Sequence, residues 1–323
     1  MAAFWKKGLG MGLGAGLLGA AVVALRNRTR PAPQPSLPDI ISPSVFARRV
    51  QRTTRGQLVY HVSGEGAPLV FLHDLFPGAA SYEWSKVYPH FAATHRVLAP
   101  DWIGFGESER PNRPLRVDDY ARCLHEFCRA TAGGTRPVIV ASGLGAAIAC
   151  LACAQHPEFA KRLILFHPSG TRNWLDPWVP FAARALSWTR GGRVWIYDNY
   201  MAPPPRIERW LRARCSAGGE FDPTEAVAVF ASFARQYGAG WAIERILSGR
   251  FQSPDLPRLG EVCVPVTLWW PGQHAGEPPA GIAGRPDLRL DPLDDCGPLA
   301  PLDRAPDLTA RLKIELFEPI HAA

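Results

Sequence analysis

The spacing of apolar positions divides the chain into regimes. From Val45 to Val62 apolar and polar residues alternate closely enough to predict two antiparallel strands, with a turn near Thr53 to Gly56. Leu69-Val-Phe-Leu72 and Val138-Ile-Val140 are short and continuously apolar, as parallel strands covered on both faces are. Between and after them the period lengthens. Helices are expected over Ser81 to Thr94, over Val117 to Thr131, and from Gly143 to about His156, with strands at Arg96 to Pro100 and Lys161 to Phe166. Strands that alternate with helices imply βαβ units and a mostly parallel sheet, an α/β fold.

The rhythm changes between Thr171 and about Pro257. This stretch carries six of the 11 tryptophans (174, 178, 188, 195, 210, 241) and one short strand-like run, Val194 to Tyr197. Asp222-Pro223-Thr-Glu225 has the residues of a helix start: an N-cap, a first-turn proline and an acid three positions on. The segment is expected to be a helical lid over the sheet. Val264 to Trp270 then resumes the sheet, Leu288 to Leu290 adds a last short strand, and Ala305 to Phe317 forms a closing helix. The organisation expected is an anchor (1–30), a proline-rich linker (31–40), the first half of the core (41–170), the lid (171–257) and the second half of the core (258–318).

Charge changes the picture only at one end. The net charge is +7, yet residues 1–56 hold nine Lys/Arg against the single acid Asp39, so the remainder is nearly neutral. A basic excess confined to one end argues against a nucleic-acid-binding face and fits an anionic membrane surface. Gly8 to Leu25 is an uncharged run of 18 residues between Lys6-Lys7 and Arg26, Arg28 and Arg30. It is just long enough to span a bilayer, which takes roughly 20 apolar residues. Residues 8–25 are therefore expected to tether the chain to a membrane as an uncleaved anchor. The larger number of cations after the run places the main domain in the cytoplasm. Gly8, Gly12 and Gly16 also offer a close-packing helix face, so assembly through this segment is a scaffold alternative. Seven cysteines with no C-x-x-C pair read as small buried hydrophobes. No metal site and no cofactor are expected.

The chemistry centres on Pro137 to Ala149, PVIVASGLGAAIA. A strand, a sharp turn flanked by small residues and an alanine-rich helix are the layout of a G-x-S-x-G nucleophile elbow. Together with Leu69-Val-Phe-Leu-His-Asp74, Asp101-Trp-Ile-Gly-Phe-Gly-Glu-Ser108, Lys161 to Gly170 and Val264 to Trp270, it resembles the α/β-hydrolase superfamily over about residues 41–317. That resemblance implies an α/β-hydrolase fold and a serine, an acid and a histidine acting together, with backbone amides holding an oxyanion.

Every side-chain member of that set is displaced here. The nucleophile position is Gly143, and the nearest hydroxyl, Ser142, stands one residue early, where strand alternation aims it to the other face. The histidine position is Pro298. No Asp follows Trp270, and Asp176 is the alternative acid. His73-Asp74 stands where the family has H-G, with the amides of Leu75 and Leu144 expected to face the pocket.

The resulting expectation is a membrane-tethered pseudo-hydrolase. It would bind a small apolar, acyl or carboxylate ligand, or a partner, in a pocket formed by His73, Asp74, Leu75, Asp101, Trp102, Ser142, Gly143 and Leu144. The alternative is an active hydrolase with a relocated triad drawn from Ser142, Asp101, His73, His167 and His274, in which Ser142, His274 and Asp176 are the weak catalytic candidates.

Overall fold

The computed structural model describes residues 45–169, 179, 181–215, 221–249, 251, 256–271, 285, 287–293 and 296–317. The anchor and linker, Asp176 and His274 lie outside the described residues. Among those described, no helix is long and apolar enough to cross a membrane.

Eight strands form one sheet in the order β1-β2-β4-β3-β5-β6-β7-β8. They are β1 Ala47–Thr53, β2 Gly56–Ser63, β3 Ala67–Leu72, β4 His95–Pro100, β5 Val138–Ser142, β6 Arg162–Phe166, β7 Val266–Pro271 and β8 Leu288–Leu293. The β1–β2 and β2–β4 pairs are antiparallel, and every other pair is parallel. The run Leu69–Leu72 of β3 and Ile139–Ser142 of β5 are buried along their whole length, as strands covered on both faces must be.

The helix that follows β5, Gly143–Gln155, is apolar all round, and eleven of its thirteen residues are buried. It can sit at the centre because it presents no charged side chain to be desolvated. Cys150 and Cys153 lie in that interior. All seven cysteines are free, six of them buried. On the other side of the sheet, Glu315 of the closing helix Ala305–Phe317 is buried and accepts from Arg162 of β6 and Thr267 of β7.

Two expectations about elements fail. The helix expected over Ser81 to Thr94 is two single 3-10 turns, Ser81–Trp84 and Tyr88–Phe91. Pro89 sits at the start of the second turn, lacks an N–H, and breaks any i to i−4 ladder running through it. The strand-like run Val194 to Tyr197 is helical instead, in Arg190–Ile196 and a π turn at Tyr197–Met201. No sheet edge is available to it there, because every segment described between β6 and β7 is helical or irregular. The longer helices of this insertion are Pro204–Arg214, Thr224–Ala234 and Ala239–Leu247. The last but one starts a residue later than the sequence indicates, with Asp222 Oδ1 accepting from Thr224 N at 3.0 Å.

The strand order reverses between β3 and β5, so their carboxyl ends open a crevice, the place where ligands bind in open α/β sheets. One buried carboxylate holds the wall of that crevice. Asp101 Oδ1 accepts from Ser81 N at 2.6 Å and Oδ2 from Glu107 N at 2.7 Å. Ser108 Oγ donates to Asp101 O and accepts from Val59 N, tying the turn to β2. Asp101→Ala would leave two amides without acceptors, each costing about 1–3 kcal/mol when buried. Urea unfolding should show a loss of about 2–5 kcal/mol for Asp101→Ala and a smaller one for Asp101→Asn, which keeps one acceptor oxygen.

Candidate functional site

The site grows from the ends of β3 and β5. After β5 the chain turns through Gly143, whose φ of 52° lies in the left-handed region that a side chain tolerates poorly. The turn leads straight into a helix, so the amide of Leu144 points out of the first helical turn. Gly145 is required for closeness, because a Cβ there would overlap the carbonyl oxygen of His73. After β3, Asp74 extends toward this turn.

Asp74 Oδ1 accepts from Leu75 N at 2.7 Å and from Leu144 N at 2.7 Å. These are the two amides that would hold an oxyanion. A Cβ built on Gly143 would overlap the Asp74 carboxyl group itself. The carboxylate of Asp74 thus fills both the oxyanion hole and the volume that an elbow side chain would use. A full negative charge at a helix N-terminus, bonded to two amides, is a favourable arrangement. The Leu144 amide, where a ligand carboxylate was expected, is bonded to the protein's own carboxylate.

The hydroxyl of Ser142 is buried, and it bonds Glu83 and, at 3.4 Å, Leu72 O. Its partners are thus a carboxyl group and the end of β3. Glu83, on the first 3-10 turn, is fully buried, and its Oε2 accepts from Asp74 N at 2.8 Å. Burial, and then the charge of Asp74, push the Glu83 carboxyl up to about 8. Burial also raises Asp74, while the amides of Leu144 and Leu75 and the charge of Arg214 pull it back. Asp74 has the better donors, so it holds the charge and Glu83 holds a proton at neutral pH.

His73 is buried with both ring nitrogens engaged. Nδ1 lies 2.6 Å from Asp74 O, and Nε2 accepts from Trp102 N at 3.1 Å. This fixes the neutral Nδ1–H tautomer, and burial lowers its pKa. Trp102 Nε1 donates to His73 O at 2.9 Å. His73, Asp101 and Trp102 thus hold the loops together, while Asp74, Leu75, Gly143 and Leu144 meet at the crevice.

His167 follows β6 with φ 44°, its ring 5.1 Å from that of Trp270. Burial, and then Arg214, push it down to about 4, so it is neutral. Just before Pro298, at the family's histidine position, Gly297 packs so tightly that a Cβ would overlap the carbonyl of Arg214, at the end of the helix Pro204–Arg214. His61, Asp101 and Glu107 bring one ligand atom each within 4.8 Å of one another. Both Asp101 oxygens already accept amides and Glu107 already pairs with Arg48, so this cluster reads as structural.

Sequence reasoning did not single out Glu83 or Arg214. Neither lies in a recognisable motif, and only the fold brings them near Asp74. The one available signal was an acid, Glu83, between the aromatic residues Tyr82 and Trp84.

A crevice at the strand-order reversal, with an elbow turn on one side and two inward amides, defines an α/β-hydrolase-type site. The chain has the α/β-hydrolase fold: a sequence profile for the alpha/beta hydrolase fold matches residues 67–199, and solved structures of that fold superpose on most of it. Over 116 residues it is 36% identical to 2-hydroxymuconate semialdehyde hydrolase of Pseudomonas sp. (strain CF600), covering 34% of this chain and 39% of that protein. Haloalkane dehalogenase 2 of Mycobacterium tuberculosis (strain CDC 1551 / Oshkosh) is 26% identical over 239 residues, 69% of this chain and 74% of that one. The chain spans less than half the length of the curated relatives it matches first. Among solved structures, 2-hydroxy-6-oxo-6-phenylhexa-2,4-dienoate hydrolase from Rhodococcus sp. strain RHA1 gives a TM-score of 0.67 at 20% identity, covering 84% of this chain and 99% of that chain. A membrane phospholipase A gives 0.65 at 19% identity, with 98% of each covered.

The Glu83 carboxyl has a testable consequence. Its pKa in the folded protein, about 8, lies above the ordinary 4.5, so the folded state binds the proton more tightly than the unfolded one. That contribution is complete below about pH 4.5 and is lost as pH rises toward 8. Denaturant titrations at a series of pH values should show stability falling across this window, and Glu83→Gln should flatten the fall.

Proposed function

We propose that this chain is an α/β-hydrolase-fold protein without serine-hydrolase activity, tethered through residues 8–25, that uses its crevice to bind. The observation that carries this reading is Asp74. Its carboxylate stands where a nucleophile would project and satisfies the amides that would stabilise an oxyanion. An acyl substrate cannot place its carbonyl oxygen there without displacing an ion bonded to two amides. Loss of one member of a serine-hydrolase set costs several orders of magnitude in rate. Here the elbow residue has no side chain, Pro298 replaces the histidine, and the hole is filled.

The half-buried Asp74 carboxylate is an acceptor, so the ligand class that fits is a small, largely apolar molecule carrying a hydroxyl or amine. Its hydrogen would meet the oxygen left by the two amides. The superfamily relatives include hydrolases and dehalogenases, and the fold they share supports a small-molecule pocket rather than a nucleic-acid surface.

A second reading rests on the same carboxylate. With Oδ1 held by two amides, Oδ2 is free to displace halide from an sp3 carbon, forming an alkyl ester on Asp74 and releasing the halide ion. A haloalkane dehalogenase among the relatives keeps this reading alongside the first.

Each part of these readings has its own measurement. Fluorophosphonate labelling and p-nitrophenyl ester turnover should both be at background, and Ser142→Ala should leave them unchanged; a labelled Ser142 overturns the binding reading. Intact-mass analysis after incubation with 1,2-dibromoethane should show no adduct if the crevice only binds, whereas an adduct absent from Asp74→Asn establishes the alkyl-transfer reading. Benzyl alcohol or benzylamine should raise the melting temperature of the wild type and raise it less in Asp74→Asn. Membrane association of the full chain, lost on deleting residues 1–30, tests the tether.

A further inference from the structure

A cleft separate from the Gly143 crevice lies where the insertion meets the core. Its open space, counting the solvent at its mouth, is about 280 Å³. The core contributes Gly104, Arg110, Arg113 and Tyr120, and the helix Ala239–Leu247 contributes Trp241 and Arg245. Three arginines therefore line one small space, with a tryptophan and a tyrosine beside them.

Their partners do not match their charges. Arg110 donates to backbone carbonyls only, those of Ser108 and Gly106. Its Nε is buried with no hydrogen-bond acceptor. Arg113 donates to Arg55 O, again a carbonyl. Among the described residues neither has a carboxylate within ion-pair distance. Arg245 has Glu244, but at 4.0 Å, and Glu244 is already held by Arg193 Nε at 2.7 Å.

The acids that act on Arg110 from further away are also committed elsewhere: Asp101 to Ser81 N and Glu107 N, and Glu107 to Arg48. Burial lowers the Arg110 pKa, which reflects the cost of holding that charge away from water. A half-buried guanidinium whose buried Nε has no acceptor, two further cations at the same space, and a single carboxylate, Glu244, already shared with Arg193, are together an incomplete ion-binding set. The missing component is an anion.

We propose that this cleft binds a small oxyanion, a carboxylate or phosphate group, which bridges Arg110 and Arg113 of the core to Arg245 of the insertion. The planar fork of each guanidinium matches the paired oxygens of either group. Trp241 and Tyr120 give a flat apolar wall for whatever carries the charge. Because the ligand would join the insertion to the core, binding should couple to how firmly the two pack. The inference does not depend on what happens at Gly143.

The test is titration of the full chain with sodium phosphate, sodium acetate and sodium benzoate at fixed ionic strength, following tryptophan fluorescence and melting temperature. Saturable binding by at least one of them, with chloride inert, is expected. Preference for phosphate identifies a phosphorylated ligand, and preference for benzoate over acetate identifies an aromatic carboxylate. Arg245→Gln and Arg113→Gln, at one half-buried and one exposed position, should each weaken binding about tenfold and leave the ligand-free melting temperature unchanged. Arg110→Lys should weaken it more. Saturation by none of the three anions, or unchanged affinity in Arg245→Gln and Arg113→Gln, overturns the proposal.

Discussion

The contact on which the site turns is that of one carboxylate with two amides. Asp74 reaches from the end of β3 across the crevice and bonds Leu144 N at the start of the helix after β5, while also bonding the amide of its own neighbour Leu75. It therefore ties together the two strands between which the strand order reverses. Charge-assisted bonds of this kind contribute roughly 1.5–3 kcal/mol each, and the helix end adds a favourable dipole. The helix it caps is itself uncharged and central, so its start needs an anchor that its own sequence does not provide.

The rest of the local charge pattern follows. With Asp74 ionised, a second carboxylate 2.8 Å from its amide is disfavoured, and Glu83 keeps its proton. A protonated Glu83 can remain buried against Ser142 because that hydroxyl both accepts and donates, with Leu72 O as its further partner. Arg214 adds positive charge from the insertion, which steadies Asp74 and keeps His167 neutral. One ionised acid, one neutral acid, one neutral imidazole and one guanidinium thus share the crevice without an unpaired carboxylate.

Much of the fold was legible because its strands are short, apolar and separated by unmistakable turns. The elbow segment, the Asp101 to Ser108 turn and the closing helix all stand where their patterns place them. The failures have local causes. Ser81 to Thr94 has helical periodicity, but Pro89 removes a donor that a continuous helix needs. Val194 to Tyr197 has β-prone side chains, but strand propensity needs an adjacent edge, and the insertion offers none. At the site, the absence of a side chain at Gly143 could be read from the sequence. That Asp74 fills the resulting space could not, because it depends on two loops separated by 69 positions meeting within hydrogen-bond distance. Glu83 was invisible for the same reason, since an acid in an apolar stretch says nothing about what it will face.

The departures from the family pattern are physically connected. A side chain at 143 would overlap Asp74, so the glycine and the aspartate require one another. With Asp74 bonded to the two amides, the loop that would carry the family's histidine is free to pack by other rules. It does so: Gly297 lies against the carbonyl of Arg214, and Leu299 N donates to that same carbonyl at 3.3 Å. The helix bearing Arg214 is thereby held close to the crevice, and its guanidinium supplies positive charge there. A glycine, an aspartate and a proline-containing turn are three separate losses when each is compared with an active hydrolase. Taken as one packing arrangement, each makes room for the next, and together they give the crevice a well-bonded floor.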